Sequence, residues 1–407
     1  MCLAFFSISI FSKEVYASDN TSKSRIGNMF FDSLEEAILA SSSTDIIQLT
    51  NDISLEETLE INKTVNIDLN GRTIKAVEKV FFIQGGSLKL TGTGKIIETN
   101  PNYGAIMLKG SNDPTKENFS TVTVGSDVTL EGWSGIFISQ NGKTGYGITV
   151  NMYGKINSVN DTSGGTGAGI YVNGNIQNIE NSPVINLSDT TEIISTGNGI
   201  YAAGYATYNI NGAYISGEES GLGIKSGIFN IINAKIIGTG EDKTPTSGNN
   251  NGINPSGTAI QIESNAGYPG NIELYIKNGN IESKHSNTIY EYTVNNTTTK
   301  VKNISLTGGN YKSPSTKTNF ELSSSFKTTH PHFISGGTYS TDPTNYLNNG
   351  YSVSKNEDSL YEVTTSTMQV FLNKDSTNTP NTKIIIVTIT LVTTGIIIFL
   401  NRKKLFK

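Results

Sequence analysis

One short pattern recurs with an average spacing of about 30 residues between Leu88 and Tyr339, and it restricts the possible folds more than any other feature of the sequence. In each copy an apolar pair at alternate positions is followed by polar residues, then by a small residue and a single Ile, Val or Tyr. Repetition of this kind is typical of architectures in which each unit buries its apolar face against its neighbours. The later apolar positions, in chain order, are Ile96, Val128, Ile156, Ile193, Ile215, Ile236, Ile281, Tyr311 and Tyr339.

Each repeat contains up to three short segments of alternating polarity, and a period of two predicts β-strands with one buried face. The first strand type pairs Leu88 with Leu90, Val122 with Val124, Ile148 with Val150, Ile185 with Leu187, Phe229 with Ile231, Ile272 with Leu274, and Ile304 with Leu306. The second type is centred on Ile96, Ile156, Ile236, Ile281 and Tyr311. The third type begins with Ile106, Ile136, Ile170, Ile200 and Ile260 and continues two positions later with Leu108, Ile138, Val172, Ala202 and Ile262.

Turns, and no helices, separate these segments, which excludes βαβ units and predicts an all-β solenoid, a parallel β-helix. Each strand is expected to pair with its counterpart one turn later. Loops rich in Gly, Asn, Ser, Thr or Pro are predicted at Ser111–Phe119, Asn157–Thr166 and Thr239–Gly257. A short helix around Phe30–Leu39, with Ser33 and Glu36 at capping-box spacing, is predicted to cover the open end of the core.

Composition narrows the range of partners. The formal net charge is -5, and the only concentrated positive charge is at the extreme C-terminus, so nucleic-acid binding is disfavoured. The single cysteine, Cys2, falls within a predicted leader, and a mature chain without it has no disulfide.

The ends of the chain carry targeting signals. Residues 1–17 are predicted to be a signal peptide, truncated at its start, because an apolar run leads to small residues at Val15-Tyr16-Ala17. A linker at 18–28 precedes the β-helix and its capping elements at 29–363, and a polar tether follows at 364–383. The apolar run at 384–400 is long enough for a transmembrane helix, and the basic tail at 401–407 is expected to stay cytoplasmic. The bulk of the chain is therefore expected outside the cell.

Two segments support a resemblance to a known group. The run from Val65 to Ile74 is similar to the opening rung of bacterial surface members of the pectate-lyase-like proteins, and Gly336–Tyr339 with Asn349–Tyr351 is similar to a closing element in Gram-positive members. This resemblance implies a right-handed parallel β-helix.

The C-terminus resembles a sortase sorting signal, whose motif is Leu-Pro-x-Thr-Gly. The segment Thr379-Pro380-Asn381-Thr382-Lys383 keeps Pro380 and Thr382 but has Thr for Leu and Lys for Gly. The resemblance implies cleavage after Thr382 by a sortase and linkage to peptidoglycan. The alternative is that the apolar helix is simply a membrane anchor.

The polysaccharide lyases that this fold resembles use an Arg or Lys base beside carboxylates that hold calcium. Related hydrolases use several Asp with a His. Arg72 is predicted to be a solvated turn residue. Lys95, Lys155 and Lys235 recur at equivalent positions, as expected of a surface stripe. The candidate acids are spread over different repeats without a paired motif; they are Asp127, Glu131, Asp161, Glu192 and Glu263. We assign no catalytic residues.

Metal chemistry has two weak candidates. His330 and His332 are two residues apart with no nearby Cys and are predicted to be exposed loop histidines, so no metal site is assigned. Glu241-Asp242 in the longest loop is the one place where calcium binding is considered.

The third strand type supplies the candidate binding site. If Ile136, Ile170 and Ile200 point inward, Phe137, Tyr171 and Tyr201 point outward at matching positions, with Tyr290 further along. Stacked aromatic rings on a sheet face can bind sugar rings. The alternative is that they only stabilise the sheet through cross-strand contacts, with Trp133 packed beside them.

Two functions follow from these features. The first is a non-enzymatic surface protein anchored to the cell, an adhesin whose β-helix binds carbohydrate, matrix or another protein. The second is a surface polysaccharide lyase or glycoside hydrolase. No cofactor other than calcium is suggested by either.

Overall fold

The computed structural model describes residues 21–100, 103–140, 144–158, 167–174, 176, 180–244, 256–294, 298–369 and 388–390. Within these residues the chain is mostly β-strand and forms three long sheets whose strands pair almost entirely in parallel. The predicted leader at 1–17, the motif Thr379–Lys383 and the tail at 401–407 lie outside the described residues.

Sheet 1 collects the first strand type. In spatial order its strands are Met29–Phe31, Ser24–Ile26, Ile46–Leu49, Thr64–Asp68, Ser87–Thr91, Ser120–Val124, Ile148–Met152, Val184–Leu187, Thr207–Asn211, Gly227–Ile232, Ile272–Ile276 and Val301–Leu306.

Sheet 2 collects the second strand type. Its strands are Tyr351–Lys355, Tyr361–Thr365, Gly337–Tyr339, Asn310–Lys312, Gly279–Ser283, Ala234–Gly238, Tyr214–Gly217, Glu192–Ser195, Lys155–Ser158, Val128–Gly132, Gly94–Glu98, Thr73–Ala76 and Ile53–Leu55.

Sheet 3 collects the third strand type. Its strands are Phe320–Leu322, Ile289–Thr293, Thr258–Ser264, Ser220–Ile224, Asn198–Ala202, Ala168–Gly174, Ser134–Gln140, Gly104–Lys109, Phe81–Ile83 and Leu59–Ile61.

The chain visits the sheets in the fixed order 1, 2, 3 from Ile46 to Leu322. Each strand therefore pairs with its counterpart in the next coil, which is consistent with the predicted parallel β-helix. Apolar residues at alternate positions point between the sheets and form one continuous core along the coils.

The inward columns agree with the predicted strand types, with two kinds of correction. In sheet 2, Leu130 and not Val128 lies in register with Ile96 and Ile156. In sheet 1, Val122 pairs with Val150 rather than Ile148, and Phe229 pairs with Leu274 rather than Ile272. Each error is a slip of two residues, which leaves the same side chains facing inward because the strand period is two.

The two ends of the coil array are closed differently. At the N-terminal end the helix Leu34–Ala40 buries Leu34, Ala37 and Ile38 against the core. Its N-cap is the predicted one: the Ser33 hydroxyl oxygen accepts a hydrogen bond of 3.1 Å from the Glu36 backbone N–H. The strand Ser24–Ile26, within the predicted linker, pairs antiparallel with Ile46–Leu49 and places the buried side chain of Ser24 in the sheet.

At the C-terminal end Tyr311 and Tyr339 continue the inward aliphatic column of sheet 2, with their rings stacked at 4.7 Å. A helix, Ser324–Thr329, and a 3-10 turn, Thr344–Tyr346, pack nearby. The antiparallel hairpin of Tyr351–Lys355 and Tyr361–Thr365 then pairs with Gly337–Tyr339 and ends sheet 2.

A C-terminal helix over 384–400 has no support in the structure. The only residues described there, Thr388–Thr390, form a strand that pairs antiparallel with Thr367–Gln369. In the part of the chain that the structure describes, no helix is long and apolar enough to span a bilayer.

Candidate functional site on the outer face of sheet 3

The predicted outward aromatic residues lie in one column of sheet 3. Phe137 pairs with Tyr171, and Tyr171 pairs with Tyr201, in consecutive coils. The rings of Phe137 and Tyr171 are stacked, with centroids 5.0 Å apart and planes inclined by 9°, and the centroids of Tyr171 and Tyr201 are 4.5 Å apart. The column extends in the other direction through Met107 to Phe82. We call these five residues the aromatic strip.

Trp133 lies beside the strip rather than in it. Its ring centroid lies 5.1 Å from that of Tyr171 and 6.4 Å from that of Phe137. All three residues are partly exposed. The Ser158 hydroxyl donates a 2.6 Å hydrogen bond to the Trp133 carbonyl and fixes the turn between sheets 2 and 3. Three partly exposed rings therefore converge around Phe137 and Tyr171, in the middle of the strip.

A buried acid lies below this corner. Glu98 is 3% exposed, and its Oε2 accepts a 3.1 Å hydrogen bond from the Trp133 backbone N–H. Its Oε1 has no hydrogen-bond partner among the described residues. Burial raises the pKa of Glu98 to about 7, against the opposing effect of the hydrogen bonds from Trp133 and Asn100.

The Tyr201 end of the strip is covered. Tyr201 is only 3% exposed, because Tyr268 from the turn after Thr258–Ser264 packs against it. Burial is also the main reason why the pKa of Tyr171 is raised to about 12 and that of Tyr201 further still, so both are neutral phenols at physiological pH. Phe137 and Tyr171 are thus partly exposed, whereas Tyr201 is buried.

Tyr290 does not join the other three aromatic residues. Its column runs from Tyr201 through Gly223 and Gln261 before it reaches Tyr290, so two coils without an aromatic residue at this position intervene. The ring centroid of Tyr290 instead lies 5.6 Å from that of Tyr292.

A group of charged and polar residues that includes one buried ion pair occupies the outer face beyond Tyr201. Lys225 and Glu263 are both fully buried, and Lys225 Nζ lies 3.0 Å from Glu263 Oε1. Lys225 Nζ donates to the Tyr268 hydroxyl at 3.1 Å, and the Tyr292 hydroxyl donates to Glu263 Oε2 at 2.7 Å. We call Lys225, Glu263, Tyr268 and Tyr292 the polar cluster.

Lys300 borders the polar cluster. Its Nζ donates to two backbone carbonyls, those of Tyr268 at 2.8 Å and Lys225 at 3.3 Å. Burial lowers the pKa of Lys300 to about 8; the charge of Glu263 opposes this shift and that of Lys225 adds to it.

The remaining sequence candidates lie elsewhere. Lys95, Lys155 and Lys235 occupy one exposed column of sheet 2, and Lys95 and Lys155 pair with Glu131 at 2.8 Å and Glu192 at 2.9 Å. Their recurrence therefore reflects a solvated face of the coil.

The loop candidates for metal binding are engaged in other contacts or exposed. Asp242 accepts from Ser286 at 2.7 Å and forms an ion pair with Lys317; burial would raise its pKa, but these two partners lower it. His330 ends the helix Ser324–Thr329 and packs on Phe326 at 5.0 Å, and His332 is exposed. No group of three or more His, Cys, Asp or Glu side chains suited to a metal ion occurs among the described residues.

Sequence reasoning missed Phe82, Glu98 and most of the polar cluster. The sequence could have indicated Phe82, because it directly follows the inward-facing Phe81 in a short strand of sheet 3. The same holds for the polar cluster: aligning Leu222-Gly223-Ile224-Lys225 with Ile260-Gln261-Ile262-Glu263 places Lys225 beside Glu263. No protein family, curated protein or solved structure that was compared with the chain matches it.

Proposed function

We propose that this chain is a cell-surface protein whose right-handed parallel β-helix presents the aromatic strip as a binding site for carbohydrate. The observation that carries the proposal is the stacking of Phe137 and Tyr171, partly exposed and flanked by Trp133. Flat apolar rings with free faces or edges are the groups that bind the apolar faces of sugars. Anchoring through the apolar run at 384–400, by a sortase at Thr379–Lys383 or as a membrane helix, belongs to the same proposal.

The strip also stabilises the sheet, and the two roles are compatible. Cross-strand aromatic pairs contribute about 0.2–1 kcal/mol each, which is small beside the burial of a continuous core. Trp133 is the clearest sign of more than a structural role, because its ring extends the apolar surface sideways without belonging to the strand column. The neutral hydroxyl of Tyr171 adds a hydrogen-bonding group at the same place.

A second candidate function is a polysaccharide lyase or glycoside hydrolase. The observation that favours it is Glu98, whose raised pKa is that of a general acid and which lies one hydrogen bond from Trp133. Release of unsaturated or reducing sugar ends from a panel of acidic and neutral polysaccharides, lost in Glu98→Gln, would favour this enzyme over the binding protein.

The binding proposal is tested with Tyr171→Ala on a glycan array and by calorimetric titration of the glycans that bind. Tyr171 is preferred to Tyr201, whose buried ring supports the Tyr268 turn. We expect at least a tenfold loss of affinity, the effect of about 1.4 kcal/mol, with unchanged circular dichroism.

Tyr153→Ala provides the matched control. Tyr153 is 44% exposed and lies between sheets 1 and 2, away from the strip, so its removal is expected to leave glycan binding unchanged. Equal affinity of wild type and Tyr171→Ala would reject the strip as the binding site.

A further inference from the structure

The carboxamide of Asn265 lies next to the polar cluster and contacts the same carboxylate as Lys225. The side chain of Asn265, which is 4% exposed, donates from Nδ2 to Glu263 Oε1 at 3.0 Å. The same oxygen lies 3.0 Å from Lys225 Nζ. The amine and the carboxamide nitrogen are therefore no further apart than these two contacts placed end to end.

The carboxamide is also polarised. Asn265 Oδ1 accepts a 2.9 Å hydrogen bond from the backbone N–H of Gly267. A donor in this position stabilises the negative charge that develops on a carbonyl oxygen when a nucleophile adds to its carbon. Glu263 is held from the other side by the Tyr292 hydroxyl, so its Oε1 stays directed at both nitrogen atoms.

Burial places the charges of Lys225 and Glu263 in a costly position. A full ion pair between two side chains with no solvent exposure is costly to form, because both charges lose their hydration. The neutral amine is the nucleophilic form of lysine, and the 3.0 Å contact with Glu263 Oε1 gives a proton of Lys225 Nζ a path by which it can leave.

From this geometry we propose that Lys225 and Asn265 join through a side-chain amide bond, with Glu263 as the proton carrier. Lys225 Nζ adds to Asn265 Cγ, and the Cγ–Nδ2 bond then breaks. One proton of the ammonium moves to Glu263 first, and a second passes from Nζ to Nδ2 through the same carboxyl group. Ammonia leaves, the amide keeps one N–H, and Glu263 remains a carboxylic acid until it exchanges its proton with solvent. The step needs no oxidant, metal or cofactor.

The bond would tie two neighbouring coils together at the corner between sheets 3 and 1. Lys225 follows Ser220–Ile224, and Asn265 follows Thr258–Ser264 one coil later. The segment between them includes the longest predicted loop, Thr239–Gly257. A covalent closure around that segment reduces the freedom of the unfolded chain, as a disulfide does in a chain that has cysteines.

The test is peptide mapping by mass spectrometry of the purified, denatured full chain. We expect a branched peptide in which the Lys225 and Asn265 segments are linked, with a mass one ammonia below the sum of the two. Lys225→Ala, Asn265→Ala and Glu263→Gln should each yield only linear peptides of sequence mass. Glu131→Gln, which removes the acid of the exposed pair with Lys95 at 2.8 Å, should leave the branched peptide intact.

The decisive measurement is on the wild type, so it does not depend on whether any variant folds. Unmodified linear peptides containing Lys225 and Asn265 would overturn the proposal. So would a linear Asn265 peptide that has lost ammonia by itself, because that product arises by cyclisation of asparagine on its own backbone.

Discussion

The outer face of sheet 3 has two halves, whose side chains stand in adjoining columns and differ in polarity and in exposure to solvent. From Phe82 to Tyr171 the outward residues are apolar and partly exposed, whereas Lys225 and Glu263 in the second half are charged and fully buried. The backbone pairing is parallel and in register in both halves. What differs is the turn at the next corner, which brings Tyr268 over the second half.

The position of an outward side chain in the sheet therefore does not determine whether that side chain is exposed or buried. An outward side chain is a surface group until a turn covers it, and then the same position must satisfy a buried charge or hydroxyl. The covered half is expected to govern stability, and the open half to govern binding.

The largest expected effect is that of Glu263→Ala, which leaves the charge of Lys225 buried without its partner. We expect the free energy of unfolding to fall by about 3–5 kcal/mol, measured by urea denaturation. Glu131→Ala removes the acid of a solvent-exposed pair and is expected to cost at most about 1 kcal/mol. Similar costs for the two variants would contradict the distinction between covered and open faces.

A smaller effect is expected from Glu98, beneath the open half. Its pKa rises from the ordinary value of 4.5 to about 7 on folding, so between these values the folded chain holds a proton that the unfolded chain has lost. Stability is therefore fully present below about pH 4.5 and declines as pH rises to about 7, by about 1–3 kcal/mol.

Glu98→Gln is expected to remove this decline, since it cannot ionise and keeps an acceptor for the Trp133 N–H. Wild type and variant should have similar melting temperatures at acidic pH, and the variant should be the more stable at pH 8. Parallel melting curves across the whole range would show that Glu98 does not titrate as inferred.

The smallest effect is expected from Lys300, and it has the opposite sign. Its pKa falls from 10.5 to about 8 on folding, so between these values the unfolded chain binds the extra proton and stability rises with pH. Because Lys300 is partly exposed, we expect only about 1 kcal/mol. The measurement is the difference in melting temperature between wild type and Lys300→Met from pH 7.5 to 10, which should change steadily in favour of the wild type. A constant difference would refute it.

Much of the core was predictable from sequence because burial on one face imposes a period of two. The third strand type is in register at every predicted position, from Ile106 and Ile136 through Ile170 and Ile200. The first type was less secure, because Ile148, Val150 and Met152 all face inward and the sequence does not say which of them pairs with Val122. Register there depends on the length of the preceding turn.

The site was only half predictable for the same physical reason. Strand alternation predicts that Tyr171 and Tyr201 face outward, but not that Tyr268 covers one and leaves the other partly exposed. The burial of Glu98 likewise depends on the turn that carries Trp133. The repeat pattern does not predict the conformation of that turn. The outer face follows from local alternation, and its accessibility follows from turns that alternation does not describe.

The hairpin at the end of sheet 2 has a mechanical consequence. Of the ten strand residues in this hairpin only Val363 is buried. The hairpin is attached to the last coil through the short strand Gly337–Tyr339. A pulling force applied from the C-terminal side meets this hairpin before any coil, and elements with few buried contacts open at the lowest free energy. The hairpin would then lengthen the connection by about 3.4 Å for each residue released, absorbing a sudden load while the coils above it stay wound.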